Sequence, residues 1–271
     1  MIPNVLTIAG SDPSGGAGIQ ADLKTFGALG AYGAAVITAL TAQNTRTVSG
    51  VHLVPPDFVA AQIDTLFADV RIDALKIGMV ATAGIAAAIA DRLEAHGAGN
   101  IVLDPVMVAK SGERLLDANA VDTVRRRLLP LADVITPNLP EAGVLLDRAA
   151  PATLAEMRRA AADLQALGCQ AVLVKGGHLE ADESIDVLFD GHDYREFIAP
   201  RVRTANTHGT GCTLSAAITA LLPQRPGIPS AISDAKAYVS EAIAASGALS
   251  VGRGHGPLHH FHRFWHEETM S

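Results

Sequence analysis

The sequence is poor in cysteine and has no long run of basic residues, and each shortage excludes a class of protein. Its 271 residues include two cysteines, Cys169 and Cys212, which are too few for a disulfide framework. The formal net charge is -7, and the longest basic run is the three arginines at 125–127. Because proteins that neutralise nucleic-acid phosphates carry a basic patch, we predict no nucleic-acid partner.

Signals for export or membrane insertion are equally scarce. The first residues, "MIPNVLTIAGSDPSGG", lack the basic start and the long apolar run of a signal peptide. The uncharged stretch 25–45 is about long enough to span a bilayer, but Gly27, Gly30 and Gly33 divide it into a helix end, a turn and a strand. We therefore expect no membrane partner and a location in the reducing cytoplasm.

Short apolar runs alternate with amphipathic helical patterns along the chain. Hydrophobic residues make up 49% of it, which is typical of a globular protein. We predict strands at "NVLTIAG", "AAVITAL", "DALKIGM", "NIVLDPV", "DVITPN" and "QAVLVKGG", with helical patterns between them. Near-continuous apolar strands of this kind predict a mostly parallel sheet with helices on both faces. The expected fold is one three-layer α/β/α domain spanning residues 1–271.

One segment departs from this alternation. In "DVLFDGHDYREFIAPRV", Asp190 and Gly191 separate two strand-like runs. An Asp-Gly pair in that position is typical of a tight hairpin. The sequence therefore predicts a locally antiparallel edge to the sheet.

The loop after the first strand, "GSDPSGGAGIQAD", resembles a dinucleotide fingerprint over residues 16–21. That fingerprint also needs an acid roughly twenty residues further on, and after Asp22 the next acidic residue is Asp57. The loop also lacks the Gly-Lys-Ser/Thr of a phosphate-binding Walker A motif. Two interpretations stay open: a glycine-rich turn without a ligand, or a small-molecule pocket with Gly10 at its floor and Asp22 pointing inward.

Polar residues follow the later strands, where ligands bind in sheets of this kind. Gln43 and Asn44 follow the second strand, and an amide offers the donor and acceptor that suit a ring nitrogen beside an exocyclic amine. A turn that ends the strand explains the same residues equally well. Lys175 follows another strand, and we expect it either to reach a phosphate or to be solvated at a turn.

Acidic residues follow two neighbouring strands. Asp104 lies at the end of the strand in "VLDPV", and Asn138 and Glu141 lie in "ITPNLPEAG". The spacing Asn-x-x-Glu is typical of a helix capping box. The same acids also suit magnesium at a phosphoryl-transfer site, and the capping interpretation does not exclude that role.

In the stretch "NTHGTGCTLSAAITALL", small residues come directly before a predicted amphipathic helix. Gly209, Thr210 and Gly211 let the backbone amides approach a ligand closely, and the helix dipole favours an anion there. A cysteine at such a position is expected to have a lowered pKa, so Cys212 is interpreted as a weak base or a hydrogen-bond donor. The alternative is a small residue that shapes the pocket.

Six motifs in order resemble one family. The segments "TIAGSDPSGGAGIQADLKTF", "KIGM", "LDPVMVAKSG", "ITPNLPEA", "VKGGH" and "NTHGTGCTLSAA" are similar to those of the hydroxymethylpyrimidine and phosphomethylpyrimidine kinases of thiamine biosynthesis, which are ribokinase-like enzymes. The resemblance implies a ribokinase-like fold. It also implies two ATP-dependent steps with Mg²⁺, which phosphorylate the hydroxymethyl group of the pyrimidine and then the resulting monophosphate.

The resemblance also implies a role for individual residues. The pyrimidine pocket falls on Gly10, Asp22, Gln43, Met79 and Val106. The catalytic group falls on Gly209, Thr210, Gly211, Cys212 and Lys175. The resemblance assigns ATP binding to Asn138, Glu141, Lys175 and Thr207. It assigns the metal to Asp104 and Glu141. The expected partners are the pyrimidine, ATP and a second copy of the chain in a homodimer.

One departure from the family leaves the substrate range open. Several relatives have glutamate where this chain has Gln43, and a neutral amide does not make the same charge-assisted contact. A pyridoxal kinase shares the fold and the cysteine, so it stays an alternative function. A non-catalytic pyrimidine-binding protein is a second alternative, although it would have no need of the anion site at 209–211.

Overall fold

The computed structural model describes residues 1–107, 116, 118–177 and 182–265. Strands and helices alternate through its first half, as the apolar runs predict. The elements are β1 (Asn4–Ser11), α1 (Gly18–Ala28), β2 (Tyr32–Gln43), β3 (Val48–Leu53), α2 (Pro56–Phe67), β4 (Ala74–Ile77), α3 (Ala83–His96) and β5 (Ile101–Leu103).

The second half continues the alternation and ends in two long helices. The elements are α4 (Ala118–Thr123), which continues as a π-helical turn (Val124–Leu128) and a 3-10 turn (Leu129–Leu131), then β6 (Val134–Ile135), α5 (Leu139–Leu145), α6 (Leu154–Gln165), β7 (Ala171–Lys175), β8 (Glu183–Phe189), β9 (Tyr194–Pro200), α7 (Thr210–Leu221) and α8 (Ile228–Ala244). Short 3-10 turns, Leu222–Gln224 and Ala245–Ala248, follow α7 and α8.

The strands of the described residues form one sheet in the order β3-β2-β1-β4-β5-β6-β7-β8-β9. Its centre from β2 to β7 is parallel. The predicted hairpin is confirmed: β8 and β9 are antiparallel, and Oδ1 of Asp190 accepts hydrogen bonds from the backbone of His192 and Asp193 in the turn. The other edge, β3, is antiparallel to β2, which the sequence analysis did not predict.

Side chains alternate across the sheet and produce three layers. In β5, Ile101 and Leu103 pack with the core that includes α2 to α6, whereas Val102 points to the opposite core beneath α7 and α8. Phe26 of α1 packs on Ala216 and Ala220 of α7, so α1 belongs to the second layer. The predicted three-layer α/β/α fold is confirmed.

Among the described residues, no helix combines the length and the hydrophobicity needed to cross a bilayer. The uncharged stretch 25–45 holds the end of α1, a turn and β2. Gly30 turns the chain with a φ of 74°, a conformation that favours glycine. The interpretation of this stretch as a helix end, a turn and a strand is confirmed.

Candidate active site

A cavity of about 760 Å³ opens at the carboxyl ends of the parallel strands. Its wall includes residues that directly follow β1, β4, β5 and β6, together with the first turn of α7. This is the edge at which α/β sheets bind ligands. The site residues expected from the sequence line this cavity, with the exceptions of Asp22 and Asn44.

The first turn of α7 forms one end of the cavity. Gly209 has a φ of 78°, and a Cβ there would overlap the carbonyl oxygen of Gly16, so the position requires glycine. The hydroxyl of Thr210 donates to the carbonyl of Thr207 at 2.9 Å. The N-cap residue, Gly209, has no side chain to cap the helix, so backbone amides of the first turn are available to an anion. We call residues 209–211 the phosphate cradle.

Gly211 faces two charged side chains across the cavity. A Cβ at Gly211 would lie 3.3 Å from Nζ of Lys175 and 3.9 Å from Oδ2 of Asp104. A larger side chain would therefore fill the space between the cradle and this charged pair. A ligand bound at the cradle has Lys175 directly beside it.

Cys212 lines the same end of the cavity but does not have the predicted lowered pKa. Burial raises the pKa of its thiol, and the negative charges of Asp22 and Asp104 add to that effect, whereas Lys76 opposes it. Its partial exposure is toward the recessed cavity. Cys212 is therefore a neutral thiol at neutral pH, and the prediction of a lowered pKa is wrong.

Lys175, Asp104 and Glu141 form a charged cluster opposite the cradle. Nζ of Lys175 lies 2.9 Å from Oδ1 of Asp104 and 4.0 Å from Oε2 of Glu141. Asp104 also accepts hydrogen bonds from Thr136 and Ser215, each at 3.1 Å. The alternative of a solvated lysine at a turn is wrong, because only 14% of the Lys175 side chain is exposed.

The two carboxyls of this cluster titrate differently. Burial acts to raise the pKa of Asp104, but the positive charges of Lys175 and Lys76 outweigh it and lower that pKa. Burial raises the pKa of Glu141 to about 7, opposed by Lys175 and assisted by the negative charge of Asp104. Near neutral pH, Asp104 is ionised and Glu141 is divided between its two forms.

Asn138 and Glu141 form the predicted capping box at the start of α5. The side chain of Asn138 accepts from the backbone of Glu141 at 2.9 Å, and Oε2 of Glu141 accepts from the backbone of Asn138 at 2.8 Å. Both residues also line the cavity, so capping and ligand binding do not compete. The carboxylates of Asp104 and Glu141 beside an anion cradle fit Mg²⁺, which is often held by one or two carboxylates and substrate phosphates.

Gln43, the last residue of β2, lines the wall where the pyrimidine edge was predicted. Its amide nitrogen lies 3.4 Å from Nε2 of His208. Asn44 is different: its side chain accepts from the backbone of Arg46 and Thr47, which makes it the turn residue of the β2–β3 connection. The turn interpretation is therefore confirmed for Asn44.

Small and apolar residues complete this end of the cavity. Gly10 is the last buried residue of β1, and a Cβ there would overlap the terminal methyl of Met79. Met79 follows β4 and Val106 follows β5, and both lie on the wall. Because glycine has no side chain, position 10 makes room for the side chain of Met79.

Asp22 does not line the cavity, which corrects the expectation that it points into the pocket. Its side chain is fully buried, where it accepts from the hydroxyl of Thr7 at 2.6 Å and pairs with Nζ of Lys76 at 2.6 Å. Lys76 is the member of this pair that reaches the cavity wall. Asp22 therefore acts on a ligand through wall residues, among them Lys76 and Cys212.

The sequence did not predict several residues of the wall and its support, among them Lys76, Asp12, His208 and Ser215. Lys76 had a signal, because it is a lone charge inside the apolar strand "ALKI". Asp12 and His208 lie inside quoted motifs, yet their contact at 2.8 Å joins residues 196 positions apart. Such a contact has no local signature in the sequence.

The loop after β1 does not form a dinucleotide site. The carboxylate of Asp12 accepts from the backbone amides of Ser14 and Ala17, each at 2.9 Å. These are the amides that a bound pyrophosphate would use. The glycine-rich loop therefore binds its own aspartate.

Comparisons with known proteins agree with this geometry. The model of the phosphomethylpyrimidine kinase family matches residues 12–259. The hydroxymethylpyrimidine/phosphomethylpyrimidine kinase of Salmonella typhimurium is 58% identical over 97% of this chain and 98% of that protein. The thiamine biosynthesis bifunctional protein of Geobacter sulfurreducens is 51% identical over 95% of this chain and 52% of that protein.

The fold also matches solved structures. The pyridoxal kinase of Staphylococcus aureus in complex with AMP-PCP and pyridoxal superposes with a TM-score of 0.89 at 36% identity, over 97% of this chain and 95% of that chain. The ribokinase-like fold is thereby confirmed. Because the family model covers most of the chain and the similarity to its bacterial relatives is high throughout, this chain belongs to the phosphomethylpyrimidine kinase family.

Proposed function

We propose that this chain transfers the γ-phosphoryl group of ATP to the hydroxymethyl group of 4-amino-5-hydroxymethyl-2-methylpyrimidine, and then phosphorylates the monophosphate to the diphosphate for thiamine biosynthesis. One observation carries the proposal. A single cavity connects the amide of Gln43 with the phosphate cradle and with the Lys175–Asp104 pair. The names of the relatives from Salmonella typhimurium and Geobacter sulfurreducens support the same activity.

The pyrimidine occupies the end of the cavity lined by Gly10, Gln43, Met79 and Val106. Gln43 offers the ring a donor and an acceptor, which match a ring nitrogen and an exocyclic amine. Met79 and Val106 supply apolar contacts to the ring and its methyl group. In this placement the hydroxymethyl group faces the end of the cavity that holds the cradle and Cys212.

ATP binds with its phosphates between the cradle and Lys175. The hydroxymethyl oxygen forms a bond to the γ-phosphorus, the bond to the bridging oxygen of ADP breaks, and the negative charge is stabilised by the backbone amides of 209–211 and by Lys175. Thr207 and Asn138 line the same region and complete the phosphate contacts. Because the transition state is loose, the alcohol loses its proton late, to solvent or to an oxygen of the transferred phosphoryl group, and needs no strong base.

Asp104 and Glu141 are the residues that would hold Mg²⁺. When bound, the metal neutralises phosphate charge and helps to align the nucleotide. Asp104 is held in place for this role by Thr136, Ser215 and Lys175. Cys212, as a neutral thiol, is positioned to donate a hydrogen bond to the reacting oxygen.

A pyridoxal kinase is the second candidate function. The observation that favours it is the similarity to the Staphylococcus aureus pyridoxal kinase solved with pyridoxal. The 58% identity to the Salmonella typhimurium pyrimidine kinase favours the main proposal. Turnover of pyridoxal alongside the hydroxymethylpyrimidine separates the two functions, and we expect the pyrimidine to have the higher kcat/KM.

We also propose that two copies of the chain form a homodimer through the β3 edge. Large hydrophobic side chains concentrate there: Leu40 and Val51 are each 47% exposed, Leu53 is 41% exposed and Phe58 is 61% exposed. Light scattering of the purified protein should give twice the mass of one chain. Val51→Asp should shift that mass to the monomer, and an unchanged mass would remove this proposal.

A further proposal concerns the organisation and location of the chain. We propose that residues 1–271 form one domain in the cytoplasm. One continuous sheet and two free cysteines, Cys169 and Cys212, support this. A single cooperative unfolding transition in the absence of ligand is the expected result, and two separate transitions would contradict the one-domain proposal.

The phosphorylation reaction is tested by mass spectrometry of the products formed with ATP and MgCl₂. We expect the pyrimidine monophosphate to rise first and then fall as the diphosphate accumulates. A reaction that stops at the monophosphate would remove the second step. A reaction that consumes pyridoxal but no hydroxymethylpyrimidine would replace the main proposal with the second candidate.

A further inference from the structure

The side-chain amide of Gln43 has two polar neighbours, Thr41 and His208. The amide nitrogen lies 3.4 Å from Nε2 of His208, and the amide oxygen lies 3.3 Å from Oγ1 of Thr41. The hydroxyl of Thr41 donates its single hydrogen to the carbonyl oxygen of Ser11 at 2.8 Å. Nε2 of His208 faces Oδ2 of Asp12 at 2.8 Å.

The contact between Asp12 and His208 fixes where the imidazole hydrogen lies. Asp12 is buried, and its carboxylate also accepts from Ser14 and Ala17. Burial acts to raise the pKa of Asp12, but hydrogen bonds from His208 and Ser14 outweigh it and hold that pKa below its usual value. Because an ionised carboxylate only accepts hydrogen bonds, Nε2 of His208 must carry a hydrogen.

These neighbours favour one orientation of the Gln43 amide. With nitrogen toward His208, two donors face each other, and the amide oxygen faces a Thr41 hydroxyl whose hydrogen is already used. A half-turn of the amide places its oxygen against Nε2–H of His208 and its nitrogen against Oγ1 of Thr41. Both contacts then become hydrogen bonds, and the hydrogen of Nε2 is shared between Asp12 and Gln43.

In this orientation the free acceptor and the free donor of the Gln43 amide lie on different sides of the cavity. It leaves a free acceptor site on the side of His208 and a free N–H on the side of Thr41. The substrate presents a ring nitrogen, an exocyclic amine and a hydroxymethyl group in that order along its edge. When the ring nitrogen accepts from the amide and the amine donates to its oxygen, the hydroxymethyl group continues toward His208, which directly precedes the cradle residue Gly209.

We propose that Asp12 and His208 form a positioning pair that fixes the Gln43 amide, selects the aminopyrimidine edge and directs the hydroxymethyl group to the phosphate cradle. The inference rests on the proposed function, because it assumes a pyrimidine at Gln43. His208 acts through Gln43 and is a positioning residue. A reversed amide would direct the hydroxymethyl group toward Thr41, away from the cradle.

The test compares kcat/KM for the aminopyrimidine and for its analogue without the exocyclic amine. Wild-type protein should prefer the aminopyrimidine by about 10-fold or more, since a missing partner leaves a buried polar group unpaired. His208→Leu should reduce this preference to about twofold, with an unchanged KM for ATP. His208→Gln keeps an N–H and should restore the preference, and the exposed control His52→Leu should not alter it.

A double-mutant cycle separates positioning from general structural damage. In a Gln43→Leu background, His208→Leu should have no further effect on the preference, because the two residues act through one contact. An additive effect would overturn the proposal, as would an equal loss of turnover for both pyrimidines in His208→Leu. If His208→Leu does not fold, His208→Asn, whose amide is too short to replace Nε2, is measured in its place.

The cycle also distinguishes this inference from the proposed function. A wild-type protein that phosphorylates neither pyrimidine overturns both. An active wild-type protein whose preference is unchanged in His208→Leu overturns the positioning pair alone and leaves the kinase activity in place.

Discussion

Lys76 and Asp22 form a fully buried ion pair, with 2.6 Å between Nζ and Oδ1 and no exposed part of either side chain. Burial alone would lower the pKa of Lys76, but the negative charges of Asp22 and Asp104 outweigh it and raise that pKa. The lysine is therefore charged inside the apolar strand β4. The ion pair with Asp22 stabilises that buried charge.

Removing one member of this pair should destabilise the protein strongly. Lys76→Met leaves the Asp22 carboxyl buried without its partner, and we expect the free energy of unfolding to fall by about 3 to 5 kcal/mol. The double variant Lys76→Met/Asp22→Leu should recover most of that loss, because both charges are gone. Urea denaturation followed by circular dichroism measures both values.

The matched control is a surface pair in the connection between α2 and β4. Arg71 and Asp73 lie 3.0 Å apart at the surface, and Arg71→Met should change stability by less than about 1 kcal/mol. A double variant at 76 and 22 that is as unstable as Lys76→Met would contradict the account of this pair.

Glu141 should make the stability of the ligand-free protein depend on pH. Its pKa is raised to about 7 in the folded state, above the ordinary value of 4.5, so the folded state binds more protons between these values. The free energy of unfolding should therefore fall as pH rises from about 4.5 to about 7, by about 1 to 3 kcal/mol from this group. Glu141→Gln should remove that part of the dependence.

Glu156→Gln is the matched control, because Glu156 belongs to the same kind of capping box at the start of α6 but is only partly buried. Its pKa is lowered, chiefly by the hydrogen bond from the backbone of Ala152, so its contribution has the opposite sign. Denaturant unfolding at a series of pH values measures both variants. An identical pH profile for wild type and Glu141→Gln would refute the prediction.

Gln43→Leu should weaken binding of the pyrimidine and leave nucleotide binding intact. The leucine cannot pair with the ring nitrogen or the exocyclic amine, a loss of about 1 to 3 kcal/mol in binding free energy. Isothermal titration calorimetry with the pyrimidine and with AMP-PCP measures the two affinities separately. Equal affinity of both proteins for the pyrimidine would show that Gln43 does not contact the ring.

Much of the fold was predictable because its signals are local. The alanine-rich run 82–96 lies between two predicted strands and indicates a helix, and α3 is found there at Ala83–His96, with the hydroxyl of Thr82 accepting from the backbone of Ile85. The hairpin at Asp190 and Gly191 follows from turn chemistry in the same way. Strand β3 was missed because nearly all of it is exposed, so it has no apolar face to create a pattern.

The site was predictable where a residue directly follows a strand or begins a helix. Gln43, Asn138 and Gly209 line the cavity for that reason. The electrostatics were not predictable, because the charges that act on Cys212 come from distant parts of the chain. Asp22 was misplaced because nothing in the sequence shows that it pairs with Lys76, 54 positions away, inside the core.

The central claim is that the backbone cradle contributes more to phosphoryl transfer than the thiol of Cys212. Valine at Gly211 would place its side chain between the cradle and Lys175, whereas alanine at Cys212 removes a neutral thiol. Gly99→Val and Cys169→Ala are the controls, because a Cβ at Gly99 meets no neighbouring atom among the described residues and Cys169 lies outside the cavity wall.

Rapid-quench single-turnover rates with the hydroxymethylpyrimidine and ATP test this claim most directly. We expect Gly211→Val to lower the rate by about 100-fold or more, as loss of oxyanion stabilisation does. We expect Cys212→Ala to lower it by less than about 10-fold, below the range for loss of a general base. A slower rate for Cys212→Ala than for Gly211→Val would contradict the account.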